Sequence, residues 1–254
     1  MGFDRNEIVE DAWREMYGIR SYEVDRWGRV PVPVLLNFIQ EGASNHADFL
    51  KLGFSHLEEI GRFWVLSRIS IHVDTYPCWG ESVALYTWPA GVDRLFALRE
   101  FRLTDDRDRV ILSASSAWLM LDVRRRRPVR IERLFMERGV TLDREPHGEV
   151  IESLPVPGGG EELIAATVQR SDLDLNDHVN NARYVEWVLD SYPEEFVRGH
   201  VVSDCTIHFL SESRSGEHLD IQTVRRGDRS FLHSVVRFSD GNEVCRLLLA
   251  WRQR

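Results

Sequence analysis

At 254 residues, 43% apolar and 29% charged, the chain has the composition of an ordinary globular protein, long enough for one large domain or two of about 100 to 150 residues with cores of their own. Its formal net charge of −9 argues against a general nucleic-acid binder, for which a basic face is the first expectation. The cysteines Cys78, Cys205 and Cys245 form no close pair, and the histidines fall into no ligand spacing, so neither a disulfide framework nor a metal centre is expected. No apolar run approaches the roughly 20 residues of a membrane span. The start MGFDRNEIVEDAW lacks a secretory pattern and carries Asn6 where a myristoylation signal needs Ser or Thr. The expectation is a cytoplasmic, unprocessed chain without a membrane span.

In chain order, PVLLNFIQEGASNHADFLKLG (33–53) reads as a helix. The runs RFWVLSRISIHV (62–73), ESVALYTW (81–88), LFALREFRL (95–103) and RVILSASSAWLML (109–121) alternate, or are rich in β-branched and aromatic residues, and read as strands with TDDRDR as a turn. DVRRRRPVRIERLFMERG (122–139) is basic and partly helical in pattern, and EPHGEVIESLPVPGGGEEL (145–163) ends in a Pro and Gly cluster typical of a linker. Its three glycines have no strand-loop-helix context and precede two glutamates, so a phosphate cradle is not expected there. NARYVEWVLDSYPEEF (181–196) is a second helix, with Val185, Val188, Leu189 and Tyr192 at i, i+3, i+4 and i+7. More strand-like runs follow, with GDRS as a turn.

The two halves repeat one another. Laying SRISIHVDTYPCWGESVALYT (67–87) over SDCTIHFLSESRSGEHLDIQT (203–223) matches Ser67 with Ser203, Ile71 with Ile207, His72 with His208, Gly80 with Gly216, Glu81 with Glu217 and Thr87 with Thr223. Small slips at turns then pair Phe96 with Phe231, Arg102 with Arg237, and Ala117-Trp118 with Ala250-Trp251. Each copy is a helix followed by an antiparallel meander, which predicts an α+β unit with a sheet wrapped around a helix, used twice. The expected organisation is a first unit over 1–122, a basic segment and linker over 123–160, and a second unit over 161–254.

Just before the second helix lies DLDLNDHVNNARY (172–184), far more polar than a helix start requires. Asp174, Asn176 and His178 are spaced by two, so an extended segment would carry a carboxylate, an amide and an imidazole on one side at the positive end of a helix. Such a corner suits hydrolysis of an activated acyl group, which needs a polarised carbonyl, a base for water and a group that orients the base. The bland reading, a cap at Asn180 or Asn181 with solvated charges around it, is tested by the repeat. Aligning Phe38 with Trp187 and Ile39 with Val188 sets Asp174 opposite Asp25, Asn176 opposite Trp27 and His178 opposite Arg29. The first copy keeps the helix and loses the chemistry, which makes it the binding and shaping half.

DLDLNDHVNNARYVEWVLDS resembles the signature of the acyl-acyl carrier protein thioesterases of plants and bacteria, which read D-x-D-x-N-x-H-V-N-N before their second helix. FWVLSRISIHVDTYPCWGESVALYTW and AWLMLDVRRRRP are similar to other segments of that family, in the same order. The resemblance implies two tandem hot-dog units and hydrolysis of a fatty acyl thioester on acyl carrier protein, without a cofactor. It carries the family's Asp, Asn and His onto Asp174, Asn176 and His178, and its downstream catalytic Glu onto Glu212. The next position, a cysteine in the plant enzymes, is Ser213 here. Serine is a far poorer nucleophile than a thiolate, so direct attack by water is expected, with Glu212 as the base or as a carboxylate that orients the water.

Phe38, Ile39, Trp64 and the run Val32 to Leu36 are candidates for lining an acyl channel, though periodicity does not separate channel from core. Arg124, Arg125, Arg126 and Arg127, with Arg130, form a candidate docking patch for the acidic carrier. Two other readings stay open at this level: a thioesterase of the same fold acting on coenzyme A esters, and a protein that binds acyl thioesters without cleaving them. Both a monomer and a homodimer are compatible with the repeat.

Overall fold

The computed structural model describes residues 4–140, 151–157 and 161–254. The triglycine of the linker lies outside them. Two compact units divide the chain, Met1–Ile151 and Glu152–Arg254.

In the first unit β1 (Trp13–Gly18) precedes α1 (Val32–Phe49) and the short α2 (Phe54–Glu59), and β2 (Arg62–Val73), β3 (Ser82–Asp93), β4 (Phe96–Thr104) and β5 (Val110–Asp122) follow. The strands are antiparallel in the spatial order β1-β3-β4-β5-β2. Thus β3, β4 and β5 form the meander, while β2 reaches the far side of β5 and β1 closes the opposite edge. A simple meander after one helix was the expectation; instead β1 and β2 flank the three-stranded meander on opposite sides. α1 buries Val32, Leu35, Leu36, Ile39 and Ala43, one face at helical spacing. Gly42 lets that face settle on β3, since a Cβ there would meet Leu85 Cδ2 at 2.5 Å. The basic segment after β5 contains α3 (Glu132–Glu137).

The second unit repeats this plan with β6 (Glu161–Thr167), α4 (Asn181–Asp190), α5 (Glu194–Gly199), β7 (His200–Phe209), β8 (His218–Arg225), β9 (Ser230–Arg237) and β10 (Glu243–Gln253), in the order β7-β10-β9-β8-β6. The second helix is shorter than its sequence pattern: Pro193 ends it, and Tyr192 lies beyond α4. Pro restricts the preceding residue to extended conformations. Tyr192 is instead a hub of the adjoining core, donating to or accepting from His233 Nε2 at 2.8 Å and lying 4.6 Å from the Trp251 ring.

Strand register refines the internal match. Tyr86 faces Arg102, whereas Leu219, the counterpart of Val83, faces Arg237. Arg237 therefore corresponds to Asp105, one residue beyond Thr104, which faces Ala84. The alignment of Arg102 with Arg237 does not hold, because the hairpins β3-β4 and β8-β9 differ in length. Among the described residues, no helix is long and apolar enough to cross a membrane.

Candidate active site

The polar cluster forms a closed loop between the 3-10 turn Arg170–Asp172 and α4. Asp174 Oδ1 accepts the N–H of Asn176 at 2.8 Å and of His178 at 3.3 Å. The Asp174 N–H donates to the His178 carbonyl at 2.8 Å and the Asp177 N–H donates to the Asp174 carbonyl at 3.1 Å. Leu173 bridges to Val179 across the base. Asp177 sits at φ 60°, a left-handed conformation that aspartate tolerates better than most residues. The segment is thus a side-chain-closed turn and not a strand, so the alternation argument for a common face does not apply. What brings the groups together is the Asp174 carboxylate, which organises the backbone around itself.

Asn180 caps α4 through its side chain, which accepts the Ala182 N–H at 2.9 Å. Asp172, read as a candidate solvated charge, is buried: its carboxylate accepts the Gln169 N–H at 2.7 Å and lies 3.5 Å from Arg183 Nε.

The second element of the site is the turn between β7 and β8. The Val179 N–H donates to the Ser213 carbonyl at 3.0 Å, and Gly216 N–H to the Val168 carbonyl at 2.9 Å, fixing the turn against the loop. Across that seam His178 Nε2 and Glu212 Oε2 are 3.1 Å apart, with the side chains 23% and 36% exposed. An imidazole and a carboxylate in contact, both partly exposed, form a pair that can hold and deprotonate a water molecule. Asn176 is exposed on the same loop.

Ser213 is fully buried and, among the described residues, its Oγ makes no well-formed hydrogen bond, to His178 or to any other group. The Tyr184 hydroxyl is its polar neighbour. Burial pushes the Cys205 thiol up to about 12, with Asp204 adding to the shift, and pushes Cys245 well above the usual range. Neither supplies a thiolate at neutral pH. β7 ends at Phe209, so Glu212 lies in a turn beyond the strand.

The first copy reproduces this framework bond for bond. Asp25 Oδ1 accepts the N–H of Trp27 at 2.8 Å and of Arg29 at 3.0 Å. The Asp25 N–H donates to the Arg29 carbonyl at 2.7 Å, and Val30 N–H donates to the Pro77 carbonyl at 2.9 Å. Gly28, at φ 77°, stands where the second copy has Asp177. Asp25 and Asp174 are therefore one structural device used twice. The groups that differ are Trp27 against Asn176, Arg29 against His178, and Tyr76 against Glu212.

Sequence reasoning passed over one residue close to the site, beyond its place in the repeat. Arg237, at the end of β9, donates from Nη2 to the Glu212 carbonyl and from Nε to Glu217 Oε2 at 2.9 Å.

Residues 10–138 match the model of the acyl-ACP thioesterase N-terminal domain and residues 161–253 that of the C-terminal domain. The chain belongs to the acyl-ACP thioesterase family. It is similar to the chloroplastic acyl-[acyl-carrier-protein] hydrolase FATB2 of Cuphea viscosissima, 27% identical over 99% of this chain and 66% of that protein. It also resembles oleoyl-acyl carrier protein thioesterase 1 of Arabidopsis thaliana, 27% identical over 97% of this chain and 78% of that one. The chain thus spans slightly under two thirds of the FATB2 length. Among solved structures, an acyl-ACP thioesterase from Bacteroides thetaiotaomicron superposes with a TM-score of 0.84 at 27% identity, over 95% of this chain and 98% of that one. The 12:0-ACP thioesterase from Umbellularia californica shares the fold, with a TM-score of 0.83 at 24% identity over 98% of this chain and 100% of that one.

In this thioesterase-family chain the residues expected to line an acyl channel fall in two places. Phe38 stacks on Tyr17 at 4.6 Å and Ile39 is 1% exposed under the sheet. Trp64 donates its Nε1–H to the Leu52 carbonyl at 2.9 Å and packs against a cluster of Leu52, Leu57, Met120, Ile131 and Phe135. The arginine run forms a tight exposed turn after β5, in which Asp122 Oδ1 accepts the N–H of Arg124 at 3.0 Å and of Arg125 at 2.9 Å.

Proposed function

We propose that this chain hydrolyses fatty acyl thioesters carried on acyl carrier protein, releasing the free fatty acid and the carrier's thiol. The observation that carries the reading is the His178–Glu212 contact of 3.1 Å, set in a loop-and-turn framework whose other copy has Arg29 and Tyr76 instead. A binding site has no need of an imidazole and carboxylate in contact; a hydrolase does.

In the proposed mechanism Glu212 takes a proton from a water molecule bound beside its contact with His178, and the water oxygen attacks the thioester carbonyl. His178 and the Asn176 amide face the developing oxyanion. Collapse of the tetrahedral intermediate breaks the C–S bond, and the proton held by Glu212 passes to the departing thiolate. One water is consumed, and a carboxylic acid and a thiol are formed. Asp174 holds the loop in shape. Burial of Ser213 and the raised thiols of Cys205 and Cys245 favour water over a covalent acyl intermediate.

The exposed turn Arg124 to Arg127 is the proposed landing site for the acidic carrier, where charge raises encounter rate more than final affinity.

The test offers the purified chain acyl carrier protein esters and coenzyme A esters across a range of chain lengths, following thiol and fatty acid together. Faster release from carrier esters supports the reading. Faster release from coenzyme A esters would move the protein to the nucleotide-bearing substrates, and binding without release would make it a non-catalytic acyl-thioester binder.

A further inference from the structure

We propose that Arg237 is a positioning residue for Glu212, clamping the turn that carries it so that the carboxylate stays within reach of His178. The inference deepens the hydrolytic reading and rests on it for its kinetic consequence.

Arg237 is at the last position of β9, and its side chain is 13% exposed. Its guanidinium reaches three separate parts of the chain. Nε donates to Glu217 Oε2 at 2.9 Å, Nη1 to Asp240 Oδ2 at 2.9 Å, and Nη2 to Ser211 Oγ at 3.5 Å and to the Glu212 carbonyl. Glu217 in turn accepts the Arg214 N–H at 3.2 Å. The turn from Ser211 to Glu217 is thereby tied at both ends to one rigid, planar cation anchored in the β9-β10 hairpin. A lysine could not serve all of these directions, because it offers a single point of charge where arginine offers a fork.

The internal duplication separates this clamp from the demands of the fold. In the first copy the equivalent turn is built with Glu81, the counterpart of Glu217, accepting the Cys78 N–H at 2.8 Å. The place of Arg237 is taken there by Asp105, whose Oδ1 accepts the N–H of Arg107 at 2.9 Å and of Arg109 at 3.0 Å in its own hairpin. The turn therefore forms without an arginine at this register. The arginine is present in the copy whose turn carries a glutamate facing a histidine, and one of its nitrogens is directed at that glutamate's own carbonyl. A misplacement of about 1 Å in a reacting group can cost on the order of 100-fold in rate. Fixing the backbone of the base is what such a site needs.

The experiment compares Arg237→Gln and Arg237→Lys in the wild-type chain and in a Glu212→Gln background, with kcat and KM measured on an acyl carrier protein ester. Arg237→Gln lowers kcat about 30-fold with KM within about threefold, and Arg237→Lys recovers only part of the loss. In the Glu212→Gln background the same change costs less than about twofold, since the group it positions is already gone. An unchanged kcat, or an equal factor in both backgrounds, overturns the proposal. Amide hydrogen exchange gives a reading independent of turnover. The Gly216 and Glu217 amides exchange faster in Arg237→Gln while those of β8 and β10 keep wild-type rates; uniform acceleration or no change contradicts the clamp. If the wild-type chain cleaves no ester at all, the hydrolytic reading falls by the activity assay, and the exchange result still decides whether Arg237 holds the turn.

Discussion

Replacing Asp174 by alanine removes the acceptor that closes the loop, and the first copy supplies the control. The lost contacts are the Asn176 and His178 N–H groups at 2.8 and 3.3 Å, each contributing about 1 kcal/mol at a solvent-accessible site. Some 2 kcal/mol of loop order is equivalent to about a 30-fold change in the population that presents His178 to Glu212. We therefore expect Asp174→Ala to lower kcat/KM for an acyl thioester by about 30-fold. Asparagine keeps an acceptor oxygen but as a neutral group of about half the strength, so Asp174→Asn stays within about fivefold of wild type. Asp25→Ala breaks the corresponding bonds at 2.8 and 3.0 Å and lowers Tm to a similar extent, but leaves kcat/KM within about threefold because no reacting group sits on that loop. Steady-state hydrolysis and thermal melts on the three variants make the comparison. Asp174→Asn as inactive as Asp174→Ala, both lowered by more than about a thousandfold, would show that the carboxylate itself takes part in chemistry, and the loop-forming account would be wrong.

Ser213→Ala should retain most activity, since the hydroxyl is buried and, among the described residues, not hydrogen-bonded to His178; accumulation of a covalent acyl-enzyme in the wild type, absent from the variant, would contradict this. Acid should destabilise the fold through two buried histidines. Burial, together with repulsion from Arg99 and against attraction from Glu15, lowers His46 to about 4, and burial lowers His233 to about 3. The unfolded chain protonates these groups near pH 6.5 while the folded one does not. Their stabilisation is thus complete above about pH 6.5 and declines as pH falls toward 4, at up to about 1.4 kcal/mol per pH unit for each. Denaturant melts at pH 7 and pH 5 should show this slope, and His233→Gln should remove about one proton from it; an undiminished slope would exclude His233 as a source. An Arg125→Glu, Arg126→Glu pair should raise KM for the carrier ester and flatten its salt dependence while sparing kcat, and binding unchanged across salt would rule out that turn as the landing site.

The strands of the first unit were legible because β2 to β5 alternate or carry β-branched residues over nine to thirteen positions. β1 was not: WREMYG is six residues long and only half buried on one face, so its pattern is too short to stand out. The α4 boundary was hidden by an apolar stripe that continues through Tyr192 after the helix has ended at Asp190, ahead of Pro193. The polar cluster was legible as chemistry but not as geometry. Asp174, Asn176 and His178 at spacing two suggested a strand, yet D-R-W-G in the first copy held the better signal, since Gly28 marks the left-handed position that Asp177 occupies in the second. Glu212 came from the family likeness alone, because a partner across a turn has no local period. Arg237 was out of reach for the same reason. Its role depends on strand register, which pairs it with Leu219 and which the sequence match had placed differently.

The central claim is that Glu212 activates water against the thioester. It is tested most directly by the rate of fatty acid release from an acyl carrier protein ester by Glu212→Gln, a variant that preserves shape and removes the base. The account predicts a loss of more than about a thousandfold in kcat with the fold and ester binding retained. Release at close to the wild-type rate would contradict it.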